Sequence, residues 1–396
     1  MKIAFLTAGG IAPCLSASIG ALIEEYNKLA PDAELIGYLN GYRGLLLGKS
    51  IDIPDSVKKN AKILSEFGGS PIGNSRVKLT NIKDCINNGY VNDGEDPLEV
   101  AAIQLVKDKV DILHTIGGDD TNTMAAALAK YLQENNYNLT VVGIPKTVDN
   151  DVVPITQTLG ALTAAEQGAI FFENIVNENT TSTRQLIIHE VMGRHCGWLT
   201  AATAVAYRHQ LNKRKFLPEI QLSKKRWDID AIYIPEIHFD MKAETKRLRR
   251  LMDEKDCVNI FLSEGAGKDE IVAEMEANSK EVPKDAFGHV KLDKINPGKW
   301  FAKQFSEGLK ADRTLVQKSG YFARSAAPNK RDLALITASA MLASESALAG
   351  KNGVVGMDYE ANDMMALIEF DRIKGGRKFD VNQGWFKTLL QQIGQN

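Results

Sequence analysis

The chain has 396 residues, beyond the size at which a single hydrophobic core keeps growing, so two domains are expected. A formal net charge of −2 gives no electrostatic ground for nucleic acid or an anionic membrane as partner, so any anionic substrate must be met by local cations. The four cysteines (Cys14, Cys85, Cys196, Cys257) are scattered without a C-x-x-C pair, which argues against a disulfide framework or structural zinc and fits a reducing cytoplasm.

Residues 1–7 are too short an apolar run for a signal peptide and read as a first strand. No stretch approaches the roughly 18 apolar residues of a membrane span. The strand ends in Ala8-Gly9-Gly10, and a small-residue helix is expected over 16–28. Gly9-Gly10 is either a tight turn or a phosphate-binding turn; it matches neither G-x-G-x-x-G nor the G-K-[ST] of a P-loop. Apolar runs at 110–116 and 139–144 read as buried strands. The first leads into Gly117-Gly118-Asp119-Asp120-Thr121-Asn122, with Thr121 expected to cap a helix over 124–133. The second leads into Pro145-Lys146-Thr147-Val148-Asp149-Asn150-Asp151.

Loops at the carboxyl ends of parallel strands are where open α/β folds bind ligands. Asp119 and Asp120 either cap and solvate a helix start or hold magnesium while the glycines admit a phosphate. Asp149 and Asp151 add a second acidic pair, one to hold metal with Asp119 and one to take a proton from an alcohol. Thr147 is placed to orient that base or to bond a phosphate oxygen. Glycines, four carboxylates and a lysine in one crevice suit phosphoryl transfer to a hydroxyl.

A second strand-and-helix series follows: strands at 185–191, 231–234 and 258–263, and a helix at 244–254. The basic runs 213–215 and 224–226 flank a stretch that reads as a solvated excursion. From 296 onward the pattern is helical, at 299–310 and 331–349. No repeat of solenoid period occurs. The expected architecture is α/β: two Rossmann-like α/β/α lobes with mostly parallel sheets and the active site in the cleft between them. The lobes are placed at 1–160, joined by part of 325–365, and at 161–324, with a C-terminal extension at 350–396 whose role is not readable.

The loops above, with Met192-Gly193-Arg194-His195-Cys196-Gly197-Trp198, resemble the phosphofructokinase family. Gly41-Tyr42-Arg43-Gly44-Leu45, Gly73-Asn74-Ser75-Arg76 and Gly320-Tyr321-Phe322-Ala323-Arg324 extend the resemblance, in order, over most of the first 330 residues. It implies phosphorylation of fructose 6-phosphate on its C1 hydroxyl, Asp149 as base, Asp119 and Asp151 at Mg2+, and Arg76 and Arg194 neutralising charge. It also implies sugar contacts from Met192, Gly193 and Glu264, 6-phosphate contacts from Tyr321 and Arg324 with Lys318 nearby, and donor contacts from Gly9, Gly10, Gly118 and Thr121. A homodimer or homotetramer is implied as well. His195 is read as a structural hydrogen bonder. Ile11, where the family usually has an acid, and Ser325-Ala326-Ala327, where it has glycines, depart from the pattern. Arg184 is displaced by one from an arginine that often precedes the Met-Gly-Arg strand.

In ATP-using members of the family, positions 120 and 146 are glycine. Asp120 would crowd a nucleotide's α-phosphate, and two like charges about 4 Å apart repel by about 4 kcal/mol at an effective dielectric of about 20. Lys146 supplies a cation for the outer phosphate of a donor lacking adenosine. The pair resembles the pyrophosphate-dependent branch, whose reaction is reversible. The competing readings are an ATP-dependent phosphofructokinase, a kinase of a nicotinamide dinucleotide, and a non-catalytic sugar-phosphate sensor.

Overall fold

The structure, a computed structural model, describes residues 1–283 and 290–395. The chain forms two compact units: Met1–Thr163 with Arg324–Arg377, and Ala164–Ala323 with Lys378–Asn396. It therefore passes between them three times.

In the first unit seven strands form one sheet: β1 (Lys2–Thr7), β2 (Glu34–Tyr38), β3 (Ser50–Asp52), β4 (Ile112–Gly117), β5 (Thr140–Pro145) and, later in the chain, Gly353–Asp358 and Met364–Ile368. In the second unit four strands form a parallel sheet: β6 (Gln185–Val191), β7 (Ala231–Tyr233), β8 (Cys257–Ser263) and β9 (Arg313–Lys318). With the last two strands of the first sheet numbered β10 and β11, the orders are β11-β10-β5-β4-β1-β2-β3 and β7-β8-β6-β9. Among the described strands of the two sheets, only the edge pairs β2–β3 and β10–β11 are antiparallel. β4, β6 and β8 are buried along their whole length, which is why they read as unbroken apolar runs.

The chain leaves β1 toward β2 and returns on its other side at β4, which makes β1/β4 a topological switch point. Gly9-Gly10 and Gly117–Asp120 are the two turns that flank it. Helices Leu15–Leu29 and Lys330–Leu348 pack together on this unit. Buried Asp332 of the latter accepts hydrogen bonds from the amides of Gly160 (3.1 Å) and Thr163 (2.7 Å), satisfying the start of helix Ala161–Ile175.

Two expectations fail here. Thr121 is not a cap: the helix runs Asp119–Glu134 from Gly118, with no side-chain cap, and Asn122 instead donates to the Gly118 carbonyl (3.0 Å). Residues beyond 296 are not only helical, since β9, β10 and β11 lie there. β9 is half exposed and carries Arg313, Gln317 and Lys318, and β10 is interrupted by Gly356, so neither shows a strand's apolar signature.

Candidate active site

In the first unit, the turn after β1 is built against the segment at 73–76. Gly9 donates to the Ser75 carbonyl (2.8 Å) and Asn74 Nδ2 donates to the Gly9 carbonyl (2.6 Å), which delivers Arg76 to the turn. A Cβ on Gly10 would stand 3.2 Å from Arg324 Nη1 and 3.3 Å from Arg76 Nη2. Lys146, buried at the end of β5, donates from Nζ to the Gly10 carbonyl (2.8 Å). Three cations thus share one glycine turn. Burial chiefly, with Arg76 and Arg324 adding like charge, pulls the Lys146 ammonium down to about 8. Arg324, expected from the sequence at the 6-phosphate, therefore stands at Gly10, beside residues expected to meet the donor.

The acidic residues lie on the next loops of the same unit. Asp119 and Asp120 occupy the first turn of their helix, where the helix dipole favours negative charge. Asp120 Oδ2 is 2.5 Å from Lys78 Nζ, and both side chains are about half exposed, so its charge already has a counter-ion. Thr147 Oγ1 donates to Asp151 Oδ1 (3.2 Å) and accepts the Asp149 amide (3.2 Å), which ties both aspartates to one hydroxyl. Burial first, then the charge of Asp119, holds the Asp151 carboxyl above the usual range. Two carboxylates that disfavour each other are a donor set suited to a divalent cation, and magnesium commonly takes one or two carboxylates with substrate phosphates and water. Among the described residues no cluster of three or more His, Cys, Asp or Glu could hold a metal unaided.

In the second unit, the residues expected from the sequence to meet the sugar phosphate emerge at the carboxyl ends of three adjacent strands, β6, β8 and β9. Ser263 Oγ donates to the Gly193 carbonyl (2.5 Å), the Glu264 amide to the Val191 carbonyl (2.9 Å), and the Gly265 backbone lies against the Arg194 carbonyl. The loops bearing Arg194 and Glu264 are therefore interlocked. Met192 lies against Gly320, and Tyr321 is 76% exposed, so its face is accessible. Arg194 and His195 are exposed; they line a pocket of about 160 Å³ with Glu236 and Lys268. Lys318 Nζ is 2.6 Å from Glu190, an ion pair between β9 and β6. Arg184 is held by Asp253 (2.9 Å) and the carbonyls of Leu309 and Lys310. A cavity of about 540 Å³ elsewhere in this unit is walled by the Lys255–Asp230 ion pair and contains none of these residues.

Sequence reasoning missed Lys78, the role of Asn74, and Gly375 and Arg377. The last two contact Asp119 and the Asp149–Asp151 loop from a distant part of the chain. The adjacent glycines at 375–376 were the available signal.

Residues 2–347 match the phosphofructokinase family. The chain belongs to the phosphofructokinase family. Among the relatives of this phosphofructokinase-family chain is the pyrophosphate–fructose 6-phosphate 1-phosphotransferase of Methylotuvimicrobium alcaliphilum, 58% identical over 100% of this chain and 97% of that protein. The enzyme of the same name from Propionibacterium freudenreichii is 57% identical over 100% of this chain and 98% of its own. The crystal structure of a pyrophosphate-dependent phosphofructokinase from Marinobacter aquaeolei shares the fold, with a TM-score of 0.73 at 20% identity over 100% of this chain and 92% of that one.

Proposed function

We propose that this chain transfers a phosphoryl group reversibly between pyrophosphate and the C1 hydroxyl of fructose 6-phosphate. The observation that carries the donor assignment is Lys146, a buried ammonium gathered with Arg76 and Arg324 at a glycine turn. Cations crowded in this way are unfavourable unless a polyanion joins them, and two linked phosphates supply that charge without needing room for adenosine. The names carried by relatives at 55–58% identity over nearly their whole length support the same reading.

In this mechanism Gly9, Gly10, Gly118, Thr121, Lys146 and Arg76 hold pyrophosphate, and Asp120 excludes a nucleotide's α-phosphate. Arg324 neutralises donor charge from its place at Gly10, in addition to or instead of meeting the 6-phosphate. Met192, Gly193, Arg194, Glu264, Lys318 and Tyr321 hold the sugar phosphate. Asp149, its amide fixed by Thr147, takes the C1 hydroxyl proton as that oxygen attacks the nearer phosphorus, the bridging P–O bond of pyrophosphate breaks and the outer group leaves as inorganic phosphate. Arg194 stabilises charge on the transferred group. Asp119 and Asp151 are the residues that would hold Mg2+, whose bound charge offsets that of the phosphates. Most of the rate enhancement comes from positioning and charge neutralisation.

Asp149→Asn tests the base. A positioned base contributes on the order of 10²–10⁴-fold, so turnover should fall by roughly 1,000-fold while calorimetric fructose 6-phosphate binding stays intact. Unchanged turnover removes Asp149 from the role. One observation favours a second reading, an ATP-dependent enzyme: Lys78 neutralises Asp120 and weakens its repulsion of a nucleotide.

A further inference from the structure

The chain re-enters the first unit at Arg324, and beyond the family match at 2–347 it crosses that unit's acidic loops before leaving at Arg377. Lys374 pairs with Val153 in both directions (3.0 and 2.7 Å), and the Arg377 amide donates to the Asp151 carbonyl (2.9 Å). The Arg377 guanidinium donates from Nη1 to the Ile155 carbonyl (2.7 Å) and from Nη2 to the Asn150 carbonyl. One side chain thereby ties both ends of the turn that follows Asp149. Between these anchors, Gly375 presents bare backbone to Asp119: a Cβ there would collide with Oδ2, Cγ and Cβ of that residue. Gly376 has φ +79°, so the bend that brings Gly375 in also needs glycine.

We propose that residues 374–377 are a positioning strap for the acidic pair, with Gly375 seating the Asp119 carboxylate and Arg377 fixing the backbone of Asp151. The inference rests on the proposed function in so far as the pair serves magnesium pyrophosphate. Neither residue need touch a substrate. A carboxylate displaced by about 1 Å loses much of its value to a bound ion, so the strap should govern donor affinity selectively.

Two measurements on the full chain test this. In Gly375→Ala and Arg377→Met, calorimetric affinity for magnesium pyrophosphate should fall by about 10-fold or more, while fructose 6-phosphate affinity stays within about 2-fold. Unchanged pyrophosphate affinity in both folded variants overturns the proposal. Should the alanine variant be unstable, a melting cycle decides. Gly375→Ala should lower Tm by several degrees in the parent and by less than about 1 °C beside Asp119→Gly, which removes all three colliding atoms. Equal losses in both backgrounds overturn it. If the parent binds no pyrophosphate, the functional reading falls, while the melting cycle still judges the contact.

Discussion

Lys146 is buried with its ammonium on the Gly10 carbonyl, and its lowered value has a definite sign. Between about 8 and its ordinary value of 10.5, the folded protein has released a proton that the unfolded chain keeps, so stability rises with pH across that window. An anionic donor favours the charged form, so KM for pyrophosphate should climb about 10-fold per pH unit above pH ~8. Lys146→Met should raise KM at neutral pH and flatten that limb; an unchanged limb would assign it to another group. At this scale the site was legible where its residues are contiguous, as in 117–122 and 145–151. Lys78, Asn74, Gly375 and Arg377 act on partners 42 to 256 positions away, and nothing local marks such a contact.

β4 and β6 are buried along their whole length, and each holds a histidine in its interior. Tyr26 bonds His114 Nε2 (2.6 Å) in β4, and Ser319 bonds His189 Nε2 (2.8 Å) in β6. Burial lowers His114 to about 4 and His189 to about 3. Their neutral forms favour the fold fully above the unfolded value of about 6.5, and that contribution is lost as pH falls toward the folded values. Stability should drop by roughly 1 kcal/mol per pH unit for each ring below pH ~6.5, so chemical denaturation from pH 7 to 5 should show a slope that His114→Phe reduces. A pH-independent midpoint would contradict the burial argument. The apolar runs of β1, β4, β5, β6 and β8 were readable because both faces are covered. The start of helix Asp119–Glu134 was not, because Gly118 supplies backbone geometry where a side-chain cap was sought.

For the molecule as a whole, two α/β units were legible from two strand-and-helix series. The later passages of the chain between them were not. Residues 353–377 complete one sheet, while the final segment buries Phe379, Phe386 and Leu389 in the core around Trp227 and Phe261 of the other unit. No motif announces either destination. Phe386→Ala should cost about 3–5 kcal/mol, read as a shifted denaturation midpoint, and removal of residues after 377 should cost more; a full-stability truncation would refute the tail's structural part. Among the described residues no helix is long and apolar enough to cross a membrane.

The identity of the phosphoryl donor carries the rest of the account. Initial rates with fructose 6-phosphate should be compared for pyrophosphate and ATP, on the parent chain and on Asp120→Gly/Lys146→Gly. The parent should favour pyrophosphate by roughly 100-fold or more in kcat/KM, and the double variant should lose most of that preference. Turnover by the parent with ATP at or above the pyrophosphate rate would contradict the account.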